Sequence, residues 1–267
     1  MTALEKYNAR ARAANSLLCV GLDPEFEKLP ERFRAVENPQ FEFNKEIINA
    51  THPHAAAYKL NIAFYEARGA AGFKDLKLTT DYLRENHPEI LLLCDAKRNE
   101  VLNTSKAYAT ALFDHFGFDG TTLNPYLGGE PLQPFLERKD KACIVLCRTS
   151  NPGASEIQDL KVDDSPLWQV ILKKVRDEWN RNGNCMLVLG ATFPDELAVA
   201  RRLAGEMTFL VPGLGAQGGD TEATIKAGLN SEGLGLIVNS SRGIILAPDP
   251  GVEAQKLKDL INSFRQQ

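Results

Sequence analysis

The feature that most constrains the fold of this chain is the regular recurrence of short apolar runs, separated by segments of helical character. The runs are continuously apolar rather than alternating, which is typical of strands buried on both faces of a parallel sheet. Strands that alternate with helices in this way predict a closed parallel sheet surrounded by helices. The eight runs lie at residues 17–23, 55–60, 90–97, 120–124, 143–148, 185–191, 208–213 and 235–241.

The number of runs and the length of 267 residues fit an α/β fold, a single-domain (β/α)8 TIM barrel. We predict that this barrel domain occupies residues 1–267 and includes an N-terminal helix, with a doubly wound open sheet as the alternative. Ser165 followed by Pro166 predicts the capped start of one of the connecting helices. Residues 22–40 are rich in proline and acidic side chains and predict a long surface loop. Helical patterns occupy residues 103–116, 165–182, 193–204, 220–228 and 252–264, with a weaker pattern at 130–137.

Composition excludes several classes of function. The net charge is −4 and no basic block occurs, which argues against nucleic acid or a membrane surface as a partner. The apolar runs are far shorter than the roughly 20 residues of a membrane span. The first 16 residues carry charges throughout, unlike a signal peptide. The five cysteines lack the spacing of a metal site or a disulfide framework, so we predict a cytoplasmic protein.

Polar side chains gather at the carboxyl ends of the predicted strands, where barrels of this type carry their active sites. Asp95 and Lys97 close the third strand and point to the same side, because they are two residues apart. A carboxylate and an ammonium at the end of a buried strand indicate either an ion pair at the strand exit or an active site. The other polar residues at or after strand ends are Asp23, Lys59, Asn61, Thr121, Asn124, Thr149, Ser150, Asn151, Asn239, Ser240, Ser241 and Arg242.

A glycine-rich stretch follows the seventh predicted strand. Gly213, Gly215 and Gly218 form a G-x-G-x-x-G pattern, but a dinucleotide-binding fold requires further strands behind it and only one follows. In a barrel, the loops after the seventh and eighth strands often bind a phosphate through backbone N–H groups. Arg242 would supply a permanent positive charge there. The stretch therefore predicts a phosphate site, with a flexible turn and a surface arginine as the alternative.

Seven stretches of the chain, most of them at predicted strand ends, carry distinctive motifs: LCVGLDP at 18–24, YKLNIAFYEARG at 58–69, DAKRNE at 95–100, TLNPYLGGEPLQPF at 122–135, TSNPGA at 149–154, VPGLGAQGGD at 211–220 and NSSRGI at 239–244. Taken in order, these stretches resemble the family of orotidine 5′-monophosphate decarboxylases, and in particular its longer bacterial branch. The resemblance implies a barrel enzyme, a carboxy-lyase that converts orotidine 5′-monophosphate (OMP) to uridine 5′-monophosphate (UMP) in pyrimidine biosynthesis.

The resemblance also implies the site residues. Lys59, Asp95 and Lys97 match the first three members of the family's Lys–Asp–Lys–Asp array. The family pattern requires Asp as the fourth member, and this chain has Glu100 there. The substrate-binding residues implied by the resemblance are Asp23, Asn61, Thr104, Asn124, Ser150, Pro212, Gly215, Gln217, Gly218 and Arg242.

The mechanism implied by the resemblance uses no metal or organic cofactor. Lys97 would stabilise the carbanion at C6 of the pyrimidine and protonate it, while Asp95 lies beside the departing carboxylate. Glu100 and Thr104 would come from the neighbouring subunit, which implies a homodimer with shared active sites. Two alternatives stay open: a metal-dependent sugar-phosphate decarboxylase or aldolase of the same barrel superfamily, and a non-catalytic nucleotide-binding relative.

Overall fold

The fold is built on a closed barrel of eight parallel strands, seen in a computed structural model that describes residues 1–191, 194–213 and 221–265. Each strand pairs with its sequence neighbour, and the first pairs with the last through Leu18 and Val238. This closure confirms the predicted barrel and excludes the open doubly wound sheet. The strands are β1 Leu18–Gly21, β2 Ala57–Asn61, β3 Leu91–Arg98, β4 Gly120–Leu123, β5 Ala142–Arg148, β6 Cys185–Leu189, β7 Phe209–Pro212 and β8 Leu236–Ser240.

Helices surround the strands and cover their apolar outer surface. Those between the strands pack side chains such as Ile47, Leu76 and Leu172 into the core. None of the described helices combines the length and the apolar character needed to cross a bilayer. The helices are α1 Ala3–Ala13, α2 Glu31–Arg34, α3 Pro39–Thr51, α4 Ala63–Glu66, α5 Gly69–Asn86, α6 Leu102–Ala109, α7 Gln133–Leu136, α8 Ala154–Gln158, α9 Leu167–Lys174, α10 Pro194–Ala204, α11 Thr221–Gly228, α12 Arg242–Ile245 and α13 Pro250–Arg265.

Two local predictions were wrong. Ser165 does not cap a helix, because Ser165–Pro166 pairs with Lys161–Val162 in a two-stranded hairpin, and α9 begins only at Leu167. Residues 22–40 are not one loop either. They contain a short 3₁₀ turn at Phe26–Lys28, helix α2 and the start of α3, because apolar side chains such as Phe33 pack against the core.

Helix α1 lies across the N-terminal end of the barrel. Thr2 and Glu5 form a capping box at its start, with the Thr2 side chain accepting from the Glu5 N–H. Its Tyr7 is fully buried and donates a hydrogen bond to the carbonyl of Leu236, at the start of β8. Lys6 pairs with Asp119 at 2.7 Å. These contacts fix α1 at the N-terminal end, so the carboxyl ends of the strands form the opposite mouth.

Candidate active site

An alternating array of charged side chains lies at the mouth of the barrel, on β2 and β3. The two oxygens of the Asp95 carboxylate are shared between two ammonium groups. Lys97 Nζ lies 2.6 Å from Asp95 Oδ1, and Lys59 Nζ lies 3.2 Å from Asp95 Oδ2. The two lysines therefore flank one carboxylate.

The electrostatic environment of Asp95 keeps it ionised. Burial alone would raise its pKa, but the ammonium groups of Lys59 and Lys97, with a hydrogen bond from Thr122, hold that pKa well below its ordinary value. Of the three array side chains, Lys97 is the most accessible, with 49% of its side chain exposed against 14% for Asp95. The array therefore presents one ammonium to the mouth and keeps its counter-charge beneath it.

Lys59 forms the buried end of the array. Its side chain is only 4% exposed, and its Nζ also lies 3.8 Å from Asp23 Oδ1. Burial alone would lower the pKa of Lys59, but the carboxylates of Asp23 and Asp95 raise it above its ordinary value. Lys59 thus stays charged and links two carboxylates, that of Asp23 just after β1 and that of Asp95 on β3.

The backbone of β3 is irregular where the array is formed. Lys97 has φ of +48°, in the left-handed region that non-glycine residues rarely adopt. The register with β4 shifts between Cys94 and Arg98, as in a β-bulge. Bulges re-aim side chains next to active sites, and strained residues at such positions are often functional. The bulge is a feature that the apolar pattern of the strand did not predict.

Asp23 lies just after β1 and is held by two neighbouring strands. The backbone N–H of Asn61 donates to its Oδ1 at 3.0 Å, and the hydroxyl of Ser241 donates to its Oδ2 at 2.8 Å. Gly21 is required beside them, because a Cβ at that position would lie 2.8 Å from the Cβ of Ser241. The sequence marked Ser241 as a polar strand end but assigned it no role.

The carboxyl end of β5 is held by a buried arginine that sequence analysis did not assign. Arg148 is only 5% exposed, and its Nε lies 2.8 Å from Glu196 on α10. Gln158 on α8 accepts from the Thr149 N–H at 2.9 Å. Ser150, one of the predicted substrate-binding residues, packs against Gly190. A Cβ at position 190 would lie only 2.9 Å from the Cβ of Ser150. This packing fixes the base of the loop that carries Ser150.

The predicted phosphate site is described only in part. Arg242 is exposed at the start of α12, and it lines a narrow pocket together with Asp23, Lys28 and Phe43. Pro212 ends β7. The other predicted members of this site, Gly215, Gln217 and Gly218, lie outside the described residues.

Glu100 and Thr104 lie apart from the array within one protomer. Glu100 precedes α6, and its Oε1 accepts a hydrogen bond from the Val101 N–H at 2.7 Å. Thr104 is exposed in the first turn of α6. Asn124 is exposed after β4, and its carbonyl accepts from the Asn99 side chain at 2.7 Å. The protomer therefore brings together Lys59, Asp95, Lys97, Asp23 and Asn61. Among the described residues, neither Glu100 nor Thr104 forms an ion pair or a side-chain hydrogen bond with this group.

In the part of the chain that the structure describes, no group of three or more His, Cys, Asp or Glu side chains is arranged to hold a metal ion.

Known proteins share both the sequence and the fold of this chain. Orotidine 5′-phosphate decarboxylase of Cellvibrio japonicus is 44% identical over 269 residues, covering 100% of this chain and 98% of the relative. The structure of Leishmania donovani OMP decarboxylase superposes with a TM-score of 0.91 at 40% identity, covering all of both chains.

A longer protein also matches. Leishmania donovani UMP synthase superposes with a TM-score of 0.92 at 42% identity, and the match covers 99% of this chain but only 57% of that one. The family model described as orotidine 5′-phosphate decarboxylase / HUMPS family matches residues 16–257. The chain belongs to the orotidine 5′-phosphate decarboxylase / HUMPS family.

Proposed function

We propose that this protein decarboxylates OMP to UMP in pyrimidine biosynthesis, without a metal or an organic cofactor. The observation that carries the proposal is the Lys59–Asp95–Lys97 array, with one carboxylate held between two ammonium groups at the mouth of the barrel. The relatives named as OMP decarboxylases support the choice of substrate. The decarboxylation leaves a carbanion at C6 with no ordinary electron sink, so fixed charges must stabilise it.

Lys97 is the proposed proton donor, because its ammonium is the accessible member of the array. It stabilises the charge that develops at C6 as CO2 leaves, and then transfers its proton to that carbon. Asp95 lies beside the departing carboxylate and keeps Lys97 oriented at 2.6 Å. Lys59 pairs with Asp95 at 3.2 Å and orients both Asp95 and the ribose.

The remaining substrate contacts are those that the resemblance to the family implies. Asp23 accepts from the ribose hydroxyls, and Asn61 and Asn124 line the same mouth. Ser150 contacts the pyrimidine. Arg242 and Gln217 bind the phosphate, and Pro212, Gly215 and Gly218 also belong to the proposed substrate-binding residues. The phosphate is remote from the reacting carbon, and the free energy of its binding can serve to close the site around the substrate.

The proposed active unit is a homodimer in which Glu100 and Thr104 enter the partner's site. Large apolar side chains are exposed next to them: Val101 and Leu102 at the start of α6, and Tyr126 and Leu127 after β4. Apolar side chains exposed together are typical of interfaces between protein chains. Glu100 retains the charge of the family's Asp and, being one methylene longer, contacts Lys97 and the ribose across the interface.

A cytoplasmic location is also proposed. The five cysteines are all unpaired and buried, which suits a reducing compartment.

A decarboxylation assay with the purified protein tests the proposal. We expect OMP to be consumed, with release of CO2 and formation of UMP, and we expect a chelator to leave the rate unchanged. Absence of turnover at saturating OMP, together with tight binding of UMP, would instead identify a non-catalytic nucleotide-binding relative. Loss of turnover on chelation would indicate the metal-dependent chemistry of other barrel enzymes.

A further inference from the structure

The bulge in β3 leaves one side chain of β4 opposite an extended part of the charged array. Cys94 pairs with Thr121 and Arg98 pairs with Leu123, so the three residues 95–97 of β3 face the single residue Thr122 of β4. Thr122 is 2% exposed. A strand interrupted in this way loses backbone partners, and its freed N–H groups must find others.

The Thr122 hydroxyl satisfies one of these N–H groups and at the same time binds a carboxylate of the array. It accepts a hydrogen bond from the backbone N–H of Lys97 at 2.9 Å, and it donates one to Asp95 Oδ1 at 2.9 Å. Asp95 Oδ1 is also the oxygen that binds the Lys97 ammonium. One hydroxyl therefore joins the left-handed backbone of Lys97 to the carboxylate that orients the Lys97 side chain.

We propose that Thr122 is a positioning residue for the decarboxylation, holding Lys97 and Asp95 in register through this hydroxyl. The inference rests on the proposed function of the array. The left-handed region is disfavoured for an L-residue because its Cβ comes too close to the backbone carbonyl, so the Lys97 conformation needs a compensating contact, and the Thr122 hydroxyl provides it.

The contact matters most when Lys97 acts. As the Lys97 ammonium turns from Asp95 toward C6 and gives up its proton, Asp95 Oδ1 loses its strongest partner. The Thr122 hydroxyl then remains on that oxygen, while Lys59 remains on Oδ2. Asp95 thus keeps its place beside the departing carboxylate, and Lys97 returns to a preserved geometry.

Hydroxyl removal at position 122 tests the proposal, with a matched control one residue away. Thr122→Val keeps the shape and removes both hydrogen bonds, and Thr122→Ser keeps the hydroxyl. Thr121→Val is the control, because Thr121 is also buried and its hydroxyl donates only to the Cys94 carbonyl, at 3.2 Å. Decarboxylation kinetics and UMP affinity by calorimetry are measured for all three and the parent.

We expect Thr122→Val to lower kcat by about 10- to 100-fold, while KM and UMP affinity change less than about threefold, because a small misplacement of reacting groups is costly. Thr122→Ser should retain kcat within about threefold of the parent, and Thr121→Val should do the same. If Thr122→Val does not fold, Thr122→Ala gives the same comparison without a branched side chain.

The results separate this inference from the proposed function. A parent without OMP turnover contradicts the function itself. If the parent turns over OMP and Thr122→Val has the same kcat, the role of Thr122 is contradicted. An equal loss of kcat in Thr122→Val and Thr121→Val also contradicts it, because that result would indicate a structural effect alone. Loss confined to Thr122→Val, with recovery in Thr122→Ser, supports it.

Discussion

Two parts of the candidate site differ in how completely one protomer builds them. The array of Lys59, Asp95 and Lys97 is joined by ion pairs of 2.6 and 3.2 Å and lies largely within the barrel mouth. Glu100, only a few residues further along the chain, is half-buried just before α6 and accepts a hydrogen bond from the Val101 N–H, and Thr104 is exposed in the first turn of α6. The strands alone therefore fix the charges of the array, whereas Glu100 and Thr104 would reach a site only in the proposed dimer.

The largest effect is expected from removal of the proton donor. Lys97→Ala should lower kcat by at least about 1000-fold, because in the proposed mechanism Lys97 supplies both the charge that stabilises C6 and the proton that is transferred to it. Lys174→Ala is a matched control, since Lys174 is 48% exposed and also ion-paired, at 3.0 Å to Glu178 on the barrel surface. Steady-state decarboxylation of the two variants measures the difference, and near-normal turnover of Lys97→Ala would overturn the assignment.

Removal of the buried cation should affect stability as well as activity. Lys59→Met leaves Asp95 and Asp23 without their shared counter-charge, and breaking a buried pair in this way destabilises by roughly 3–5 kcal/mol. We expect kcat to fall by about 100-fold, together with a lower denaturant midpoint.

Lys6→Met is the control for Lys59→Met, because Lys6 forms a partly buried pair with Asp119 at the opposite end of the barrel. It should lose stability without losing kcat. Equal kcat losses in the two variants would mean that Lys59 acts through the fold rather than through the site.

A subunit-mixing experiment tests whether Glu100 acts in the active site of the partner subunit. Glu100→Ala should lower kcat by about 100-fold, since it withdraws a charge that the proposed dimer places against Lys97. When Glu100→Ala and Lys97→Ala chains are refolded together in equal amounts, half of the dimers are mixed and each has one intact site. Activity should then rise to about a quarter of the parent value. Activity no higher than the average of the two variants would show that each site is built by one chain.

The barrel was predictable from the sequence because eight mostly apolar runs alternate with segments of helical character. The same local signals could not reveal contacts that depend on tertiary pairing. Ser165 followed by Pro166 has the sequence of a helix start, yet it pairs in a hairpin with Lys161–Val162. The role of Thr122 depends on a bulge in the neighbouring strand.

The position of Ser241 shows why part of the site escapes prediction. Ser241 contacts Asp23, which lies 218 residues earlier in the chain, only because the barrel closes between β1 and β8. The apolar pattern predicts such a closure, but it does not predict which side chains meet at the junction of β1 and β8. Contacts of this kind become visible only when the register of the last strand is known.

The smallest effect on activity is expected at the junction of β1 and β8. Ser241→Ala removes the hydroxyl that donates to Asp23 Oδ2 at 2.8 Å, and a hydrogen bond to a charged group contributes roughly 1.5–3 kcal/mol. Because Asn61 and Lys59 still hold Asp23 Oδ1, we expect KM for OMP to rise by only about 3- to 10-fold, with little change in kcat. Ser263→Ala, which removes an exposed hydroxyl on α13, should leave both constants unchanged. A fall in kcat with unchanged KM in Ser241→Ala would place Asp23 with the reacting charges of the array rather than with the substrate-binding residues around it.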